Sequence, residues 1–240
     1  MGTLPLLSKT KRFSASEGIW GALIGIVVFG SVWGLIEATL GGFLHLIHFT
    51  PVFRGAIMAG IGMSIMATFV ASYRRPEMVF GLGIIAALFK PLSALIYFKP
   101  VFAPFVVNPA SAILLEALAF SLVASLLYKG FESSFRTRIA VGVSAGYLGI
   151  ILYAVLASAL GLGNWPAMAL TEKITTTLTN GTGLAIIGTG LLLLGYLAGT
   201  QLRPRLLQLR TMKPGLFYVG AAASTIFCWA VAALAFASGL

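Results

Sequence analysis

Seven long stretches of the chain consist almost entirely of apolar residues, and short polar or basic segments separate them. A helix rises 1.5 Å per residue, so about 20 residues are needed to cross a hydrocarbon core roughly 30 Å thick. Each stretch is long enough for such a helix. The pattern therefore predicts an all-α, polytopic transmembrane bundle of about seven spans, at residues 18–46, 54–73, 78–98, 108–128, 139–162, 181–202 and 216–238.

Residues at the ends of the stretches define these limits. The motif at 73–76 (YRRP) is expected to end the second span, and the motif at 203–205 (RPR) the sixth. Asn108 and Pro109 are expected to cap and open the fourth, because Asn is favoured at the N-cap and Pro at the first helical position. Residues 164–180 are too polar to span, so they are expected to lie along the outer membrane surface.

Composition indicates an integral membrane protein of one domain. Hydrophobic residues make up 59% of the 240 positions and charged residues only 9%, whereas about a quarter of a soluble domain is charged. No linker rich in proline or charge divides the chain, so residues 1–240 are expected to form one membrane domain, with 1–17 as a basic cytoplasmic tail. The lipid bilayer of the cell's plasma membrane is the expected environment.

The distribution of basic residues predicts the orientation. The net charge is +10, but the basic residues stand at the ends of apolar stretches, which argues against a nucleic-acid partner. With the N-terminus inside, twelve of the sixteen Lys and Arg residues are cytoplasmic, and only Arg54, Lys99 and Lys173 are outside. The positive-inside rule therefore places the N-terminus in the cytoplasm and the C-terminus outside.

Three ionisable residues, Glu37, Lys90 and Glu116, fall inside predicted spans. A charge at the centre of a span costs about 2.5–3.5 kcal/mol, so each needs a partner or a polar cavity. All three lie roughly 12–14 Å below the outer surface at 1.5 Å per residue. We expect them to share a polar site that opens outward, with Lys90 paired to Glu116 and Glu37 left as the anionic contact of a ligand.

The first span adds further candidate ligand-binding residues. Glu37, Gly41, His45 and His48 fall within about 80° of one another on one helix face. Trp33 lies on the edge of that face, where it could form the floor of a pocket. Glu and two His residues are possible ligands of a transition metal, but no fourth ligand is identifiable. The metal question stays open, and no cofactor is expected.

Prolines mark two places near this site. Pro91 follows Lys90 and removes a backbone hydrogen bond in mid-span, which is tolerated where the helix lines protein or a cavity. The apolar segment 99–108 (KPVFAPFVVN) contains two further prolines. It is expected to be either a lid over the site or a turn anchored at the membrane interface.

Small residues recur at the spacing that lets helices approach closely in lipid. Gly21 and Gly25 form one pair near the cytoplasmic side, and this pair could face a partner subunit. Other small residues at this spacing are expected to pack helices within the bundle: Gly30, Gly34, Ala38, Gly42, Gly195, Gly199, Gly220, Ser224 and Cys228.

Catalytic motifs are missing from the sequence. It has no nucleotide-binding loop, no haem-attachment CxxCH motif, and no serine nucleophile with a histidine on another helix. The protein is therefore not expected to be an enzyme. Any work driven by ATP would have to come from another chain.

Two segments, GLIEATLGGFLHLIHFTP (34–51) and NPASAILLEALAF (108–120), resemble the S components of energy-coupling-factor transporters. Those are small, very hydrophobic bacterial proteins, typically of six spans, that bind vitamins or metal ions near the outer face. The resemblance covers about the first 130 residues. It implies a transport subunit that binds a small molecule or ion and works with a transmembrane partner and two ATPases, with Gly21 and Gly25 on the coupling face.

Two other functional classes remain open. The chain could be a non-catalytic anchor or scaffold subunit of a larger complex, with its buried charges serving as structural pairs. It could also be a stand-alone carrier or channel. The seventh span and the outward C-terminus depart from the usual plan of the S components.

Overall fold

The computed structural model describes residues 15–46 and 50–239, and the structural statements below concern these residues. Within them the chain is almost entirely helical and contains no strand. Seven helical segments are long and apolar enough to cross a membrane. The predicted all-α polytopic bundle is therefore confirmed, and a bilayer is its environment.

In chain order, the described α-helices are α1 (Ala15–Leu46), α2 (Pro51–Tyr73), α3 (Val79–Ala87), α4 (Phe89–Ile96), α5 (Pro104–Leu126), α6 (Tyr128–Ser133), α7 (Phe135–Leu160), α8 (Leu170–Met212) and α9 (Pro214–Ala237). Because successive spans alternate in direction, the connections fall into two sets. We call the set formed by residues 74–78, 127–134 and 213 the basic end. The set formed by Thr50, 97–103 and 161–169 is the weakly charged end.

The fourth span begins earlier than the sequence pattern indicated. Helix α5 starts at Pro104, which takes the first helical position, so the expected start at Asn108 and Pro109 is wrong. Pro109 lies inside the helix, where its missing N–H leaves the carbonyl of Phe105 without its usual partner. Of the predicted lid or turn at 99–108, residues 104–108 belong to α5, and residues 99–103 form part of the short connection before it.

The sixth span is much longer than predicted. Helix α8 is continuous over 43 residues, about 65 Å at 1.5 Å per residue, which is twice the length that a span needs. The expectation of an interfacial segment at 164–180 is wrong for residues 170–180. Threonines occur within this part of the helix, and the Thr175 hydroxyl donates to the Thr171 carbonyl one turn back (2.9 Å). Pro204 also lies inside α8 and does not end it.

Helices α2 and α8 approach each other closely through small residues. A Cβ atom on Gly195 would clash with the backbone carbonyl of Ser64, and one on Gly199 with that of Thr68. The Thr68 hydroxyl donates a hydrogen bond to the Gly195 carbonyl (2.9 Å). Packing of small residues, with hydrogen bonds between helices, is how helices associate in lipid.

The remaining small residues divide into packed and exposed positions. Gly30 and Gly34 lie against Ile85 and Phe89, as the predicted internal ridge requires. Gly220 is open on the outer surface of α9, so its predicted role in packing is wrong. Helix α9 packs mainly on α1, with smaller contacts to α4 and α8.

The predicted partner-binding role of Gly21 and Gly25 is also wrong. Both residues are buried within the chain. A Cβ atom on Gly21 would meet the guanidinium of Arg210, and one on Gly25 would meet the ring of Tyr73. Periodicity showed that these glycines share a face, but that face packs against α8 and α2 of the same chain.

The basic end is held together by a polar cluster. Arg138 donates to the carbonyls of Phe131 (2.9 Å) and Glu132 (2.7 Å) and stacks over the ring of Tyr196 at 3.8 Å. The Glu132 carboxylate pairs with Arg74 (2.9 Å) and accepts from Tyr128 (2.7 Å). Burial and this hydrogen bond raise the pKa of Tyr128, so its phenol remains a neutral donor at physiological pH.

Candidate functional site

Glu37 and Lys90 form an ion pair inside the bundle. The Lys90 ammonium lies 3.2 Å from the Glu37 carboxylate and also donates to the Glu37 backbone carbonyl at 3.3 Å. The two side chains are only 11% and 12% exposed. Lys90 follows a break at Leu88, where α3 ends and α4 begins. Pro91 contributes to this break because it cannot donate to the Ala87 carbonyl.

This pairing corrects the predicted one. The sequence analysis joined Lys90 to Glu116 and left Glu37 for a ligand, whereas Lys90 contacts Glu37. Depth along each helix was the basis of that prediction. Depth does not fix the rotation of a helix about its axis.

A cavity of about 620 Å³ lies beside the ion pair. Helices α1, α2, α4 and α5 supply most of its wall, and Phe236 of α9 closes one side. Tyr97 and Pro104, which line it, place it at the weakly charged end. We call it the Arg54 cavity; its polar lining residues are Glu37, Arg54, Lys90, Ser93, Tyr97 and Asn108.

Arg54 gives this cavity an excess positive charge. Its guanidinium makes no hydrogen bond or ion pair with any residue that the structure describes. It stands in the first turn of α2, where the helix dipole disfavours a cation. Because Lys90 is neutralised by Glu37, Arg54 is the charge in this cavity that a ligand could satisfy.

Glu116 lies in a second cavity of about 320 Å³, which we call the Glu116 cavity. Helices α2, α5, α7 and α8 enclose it with a mostly apolar lining, and Tyr153 and Asn180 add polar groups. Within residues 15–46 and 50–239, the Glu116 carboxylate has neither a hydrogen bond nor a salt bridge.

Asn108 connects the two cavities. Together with Gly55 and Pro109, it lines both of them. The carbonyl oxygen of its side chain is buried and accepts no hydrogen bond from the described residues. A buried acceptor without a donor is costly.

Trp33 does not form the floor of the pocket, so that prediction is wrong. It is fully buried in the main core, and a Cβ atom on Gly62 would lie 2.6 Å from its indole ring. The sequence analysis placed Trp33 at the edge of the polar face of α1. Because α2 approaches α1 closely at Gly62, this edge of α1 is buried in the core.

The two histidines fall where the structure gives no side-chain description. His48 lies outside the described residues. His45 belongs to α1, but its side chain is likewise outside the description. Among the side chains that are described, no three His, Cys, Asp or Glu residues come together. Their predicted role in ligand or metal binding therefore stays a prediction.

The sequence analysis did not identify Asn108 and Gly55 as residues of the site. It also did not predict that Glu37 pairs with Lys90. Asn108 was read as a helix cap because it precedes a proline. Arg54 carried a usable signal, since a cation near a helix N-terminus needs a reason other than capping. Gly55 carried none, because its role depends on the space around it.

Comparison with known proteins identifies no relative of this chain. No protein-family model matches the chain, and no curated protein and no solved structure is significantly similar to it.

Proposed function

We propose that this protein is a non-catalytic membrane transport subunit that binds a small molecule or ion between its helices. The observation that carries the proposal is the Arg54 cavity, a polar space beside a buried ion pair in an otherwise apolar bundle. A cavity of this size falls in the range of small-molecule sites, about 300–1,000 Å³. Charged groups within spans are expensive and usually mark substrate or ion pathways.

The charge distribution supports a site that is reached from outside the cell. Nine described basic residues lie toward the basic end: Arg74, Arg75, Lys129, Arg136, Arg138, Arg203, Arg205, Arg210 and Lys213. Three lie toward the weakly charged end: Arg54, Lys99 and Lys173. The positive-inside rule then favours a cytoplasmic basic end, with the cavities facing outward across the plasma membrane.

The proposed partners are other membrane or ATPase subunits. The sequence has no nucleotide-binding loop, so uptake driven by ATP would take its energy from another chain. The resemblance to S components of energy-coupling-factor transporters implies such partners. With Gly21 and Gly25 buried, the coupling surface would be formed by other residues.

A scaffold subunit is the second candidate function. The closed Glu37–Lys90 pair favours it, because this pair could simply hold α1 and α4 together. It leaves Arg54 and Glu116 unexplained, since neither has a partner among the described side chains. We therefore rank ligand binding first.

Analysis of retained small molecules would test the proposal. Protein purified under mild conditions is denatured, and the released compounds are identified by mass spectrometry. Wild type should carry a bound compound that Arg54→Gln retains at less than a tenth of the wild-type amount. Lys99→Gln is the control, because it removes an exposed charge at the same end outside both cavities. If no compound differs and a membrane protein co-purifies in fixed ratio, the scaffold function replaces the proposal.

A further inference from the structure

A guanidinium and a carboxyl group, those of Arg54 and Glu116, line adjoining cavities. Lys90 satisfies Glu37, whereas Arg54 and Glu116 have no partner in the part of the chain that the structure describes. The cavities meet at Gly55, Asn108 and Pro109. We propose that they form one binding site for a small zwitterion, with its carboxylate on Arg54 and its ammonium group on Glu116. This inference rests on the proposed function and names its ligand class.

The Arg54 cavity suits the carboxylate. A guanidinium offers a planar fork of donors that matches a carboxylate in two parallel hydrogen bonds. The site also lies at the start of α2, where the helix dipole favours an anion. Lys90 is a weaker candidate for this contact because its ammonium already has two acceptors on Glu37.

The Glu116 cavity suits the ammonium group. An ammonium has three donors and no acceptor, and the Glu116 carboxyl group lines this cavity without a hydrogen bond from the described residues. The rest of the lining is mostly apolar, with Val52, Ile150 and Leu184 among its residues. Such a wall would hold the aliphatic part of a ligand.

Gly55 leaves room where the cavities adjoin. A Cβ atom built on Gly55 has no heavy atom within 4 Å. Glycine is therefore not needed there for helix packing, and it is a poor helix former. A side chain at this position would project into the empty space that we assign to the ligand.

The positions of the two charges indicate how far apart the ligand's charged groups are. Arg54 is three residues from the start of α2, and Glu116 is twelve residues from the start of α5, at the same end of the bundle. With the two helices starting at the same level, their Cα atoms would differ in depth by about 13 Å at 1.5 Å per residue. The two side chains span part of that distance. The ligand is an ω-amino acid or a dipeptide-sized zwitterion rather than an α-amino acid.

Binding of three matched probes to the purified protein tests this assignment. The probes are 6-aminohexanoate, hexanoate, which lacks the ammonium group, and hexylamine, which lacks the carboxylate. Titration calorimetry should show that 6-aminohexanoate binds at least tenfold more tightly than either single-charge analogue. Equal affinity for all three probes overturns the inference.

Variants assign each charge to its contact. Arg54→Gln should reduce affinity for 6-aminohexanoate at least tenfold and leave that for hexylamine unchanged. Glu116→Gln should weaken hexylamine and leave hexanoate unchanged. Gly55→Leu should fold, since its side chain enters open space, and should bind 6-aminohexanoate at least tenfold more weakly. Gly190→Leu is its control, because Gly190 is also open but lies on the exposed surface of α8.

Several outcomes would overturn the assignment and identify what replaces it. If Gly55→Leu binds as wild type does, the cavities do not form one site. If sodium ion alone stabilises wild type but not Glu116→Gln, and hexylamine does not bind, the Glu116 cavity is an inorganic cation site. If no probe binds but a retained compound is lost in Arg54→Gln, the zwitterion class is wrong and the proposed function stands. If no probe binds and no retained compound is lost in Arg54→Gln, both the zwitterion assignment and the proposed function are wrong.

Discussion

A single methyl group at Gly195 is expected to destabilise the bundle strongly. In Gly195→Ala the new Cβ atom would clash with the backbone carbonyl of Ser64. A flexible side chain could rotate away, but a carbonyl of α2 can move only if the helices separate. Overpacking typically costs about 1–3 kcal/mol, and we expect the upper part of that range. Separation would also weaken the hydrogen bond from Thr68 to the Gly195 carbonyl.

Thermal unfolding in detergent measures this effect, with Gly190→Ala as the matched control. Both glycines lie in α8, but a Cβ atom on Gly190 has no neighbour within 4 Å. Gly190→Ala should therefore leave the melting temperature unchanged or raise it, because alanine is the better helix former. Equal melting temperatures for the two variants would show that α2 and α8 do not pack as described.

Lys90→Met is expected to have the second large effect. It removes the cation that faces Glu37 and leaves a carboxylate that is only 11% exposed inside the bundle. Removing one partner of a buried pair typically costs about 3–5 kcal/mol. The double variant Glu37→Gln/Lys90→Met removes both charges, so it should recover most of the lost stability.

The same unfolding experiment separates the two possible partners of Lys90. If Lys90 pairs with Glu37, only the double variant with Glu37→Gln restores stability, and Glu116→Gln/Lys90→Met remains as unstable as Lys90→Met. Rescue by Glu116→Gln instead would restore the pairing that sequence depth suggested. It would contradict the ion pair in the structure.

The membrane class and the existence of the spans could be predicted because both depend on composition averaged over about 20 residues. Spans one and seven were predicted within a few residues of α1 and α9. The presence of charges within the bundle was equally visible. Glu37, Lys90 and Glu116 stand in apolar surroundings that hydropathy identifies directly.

The contacts of those charges could not be predicted, because they depend on how each helix is rotated. Lys90 contacts Glu37 and not Glu116, which depth alone could not distinguish. For the same reason Trp33 was assigned to a pocket although it packs on Gly62. Gly21 and Gly25 were assigned to a partner although they pack within the chain.

The helix limits that were wrong share another cause. Asn108–Pro109 and Arg203–Pro204–Arg205 have the residues of a helix start and a helix end, yet α5 and α8 run through them. A proline inside a helix removes one hydrogen bond, and the packing of a long helix in lipid can compensate for that loss. The local preference of these residues for a helix end was therefore outweighed by the packing of the rest of the helix.

Access of water to the Arg54 cavity tests the central claim most directly. The substitution Met58→Cys, in a Cys228→Ala background, places a thiol on the wall of this cavity. A membrane-impermeant thiol reagent added outside intact cells should modify it, whereas Ile186→Cys, at a position that is 70% exposed on the apolar surface of α8, should not react. Failure of Met58→Cys to react, or reaction only after the reagent reaches the cytoplasm, would contradict an outward-facing polar site.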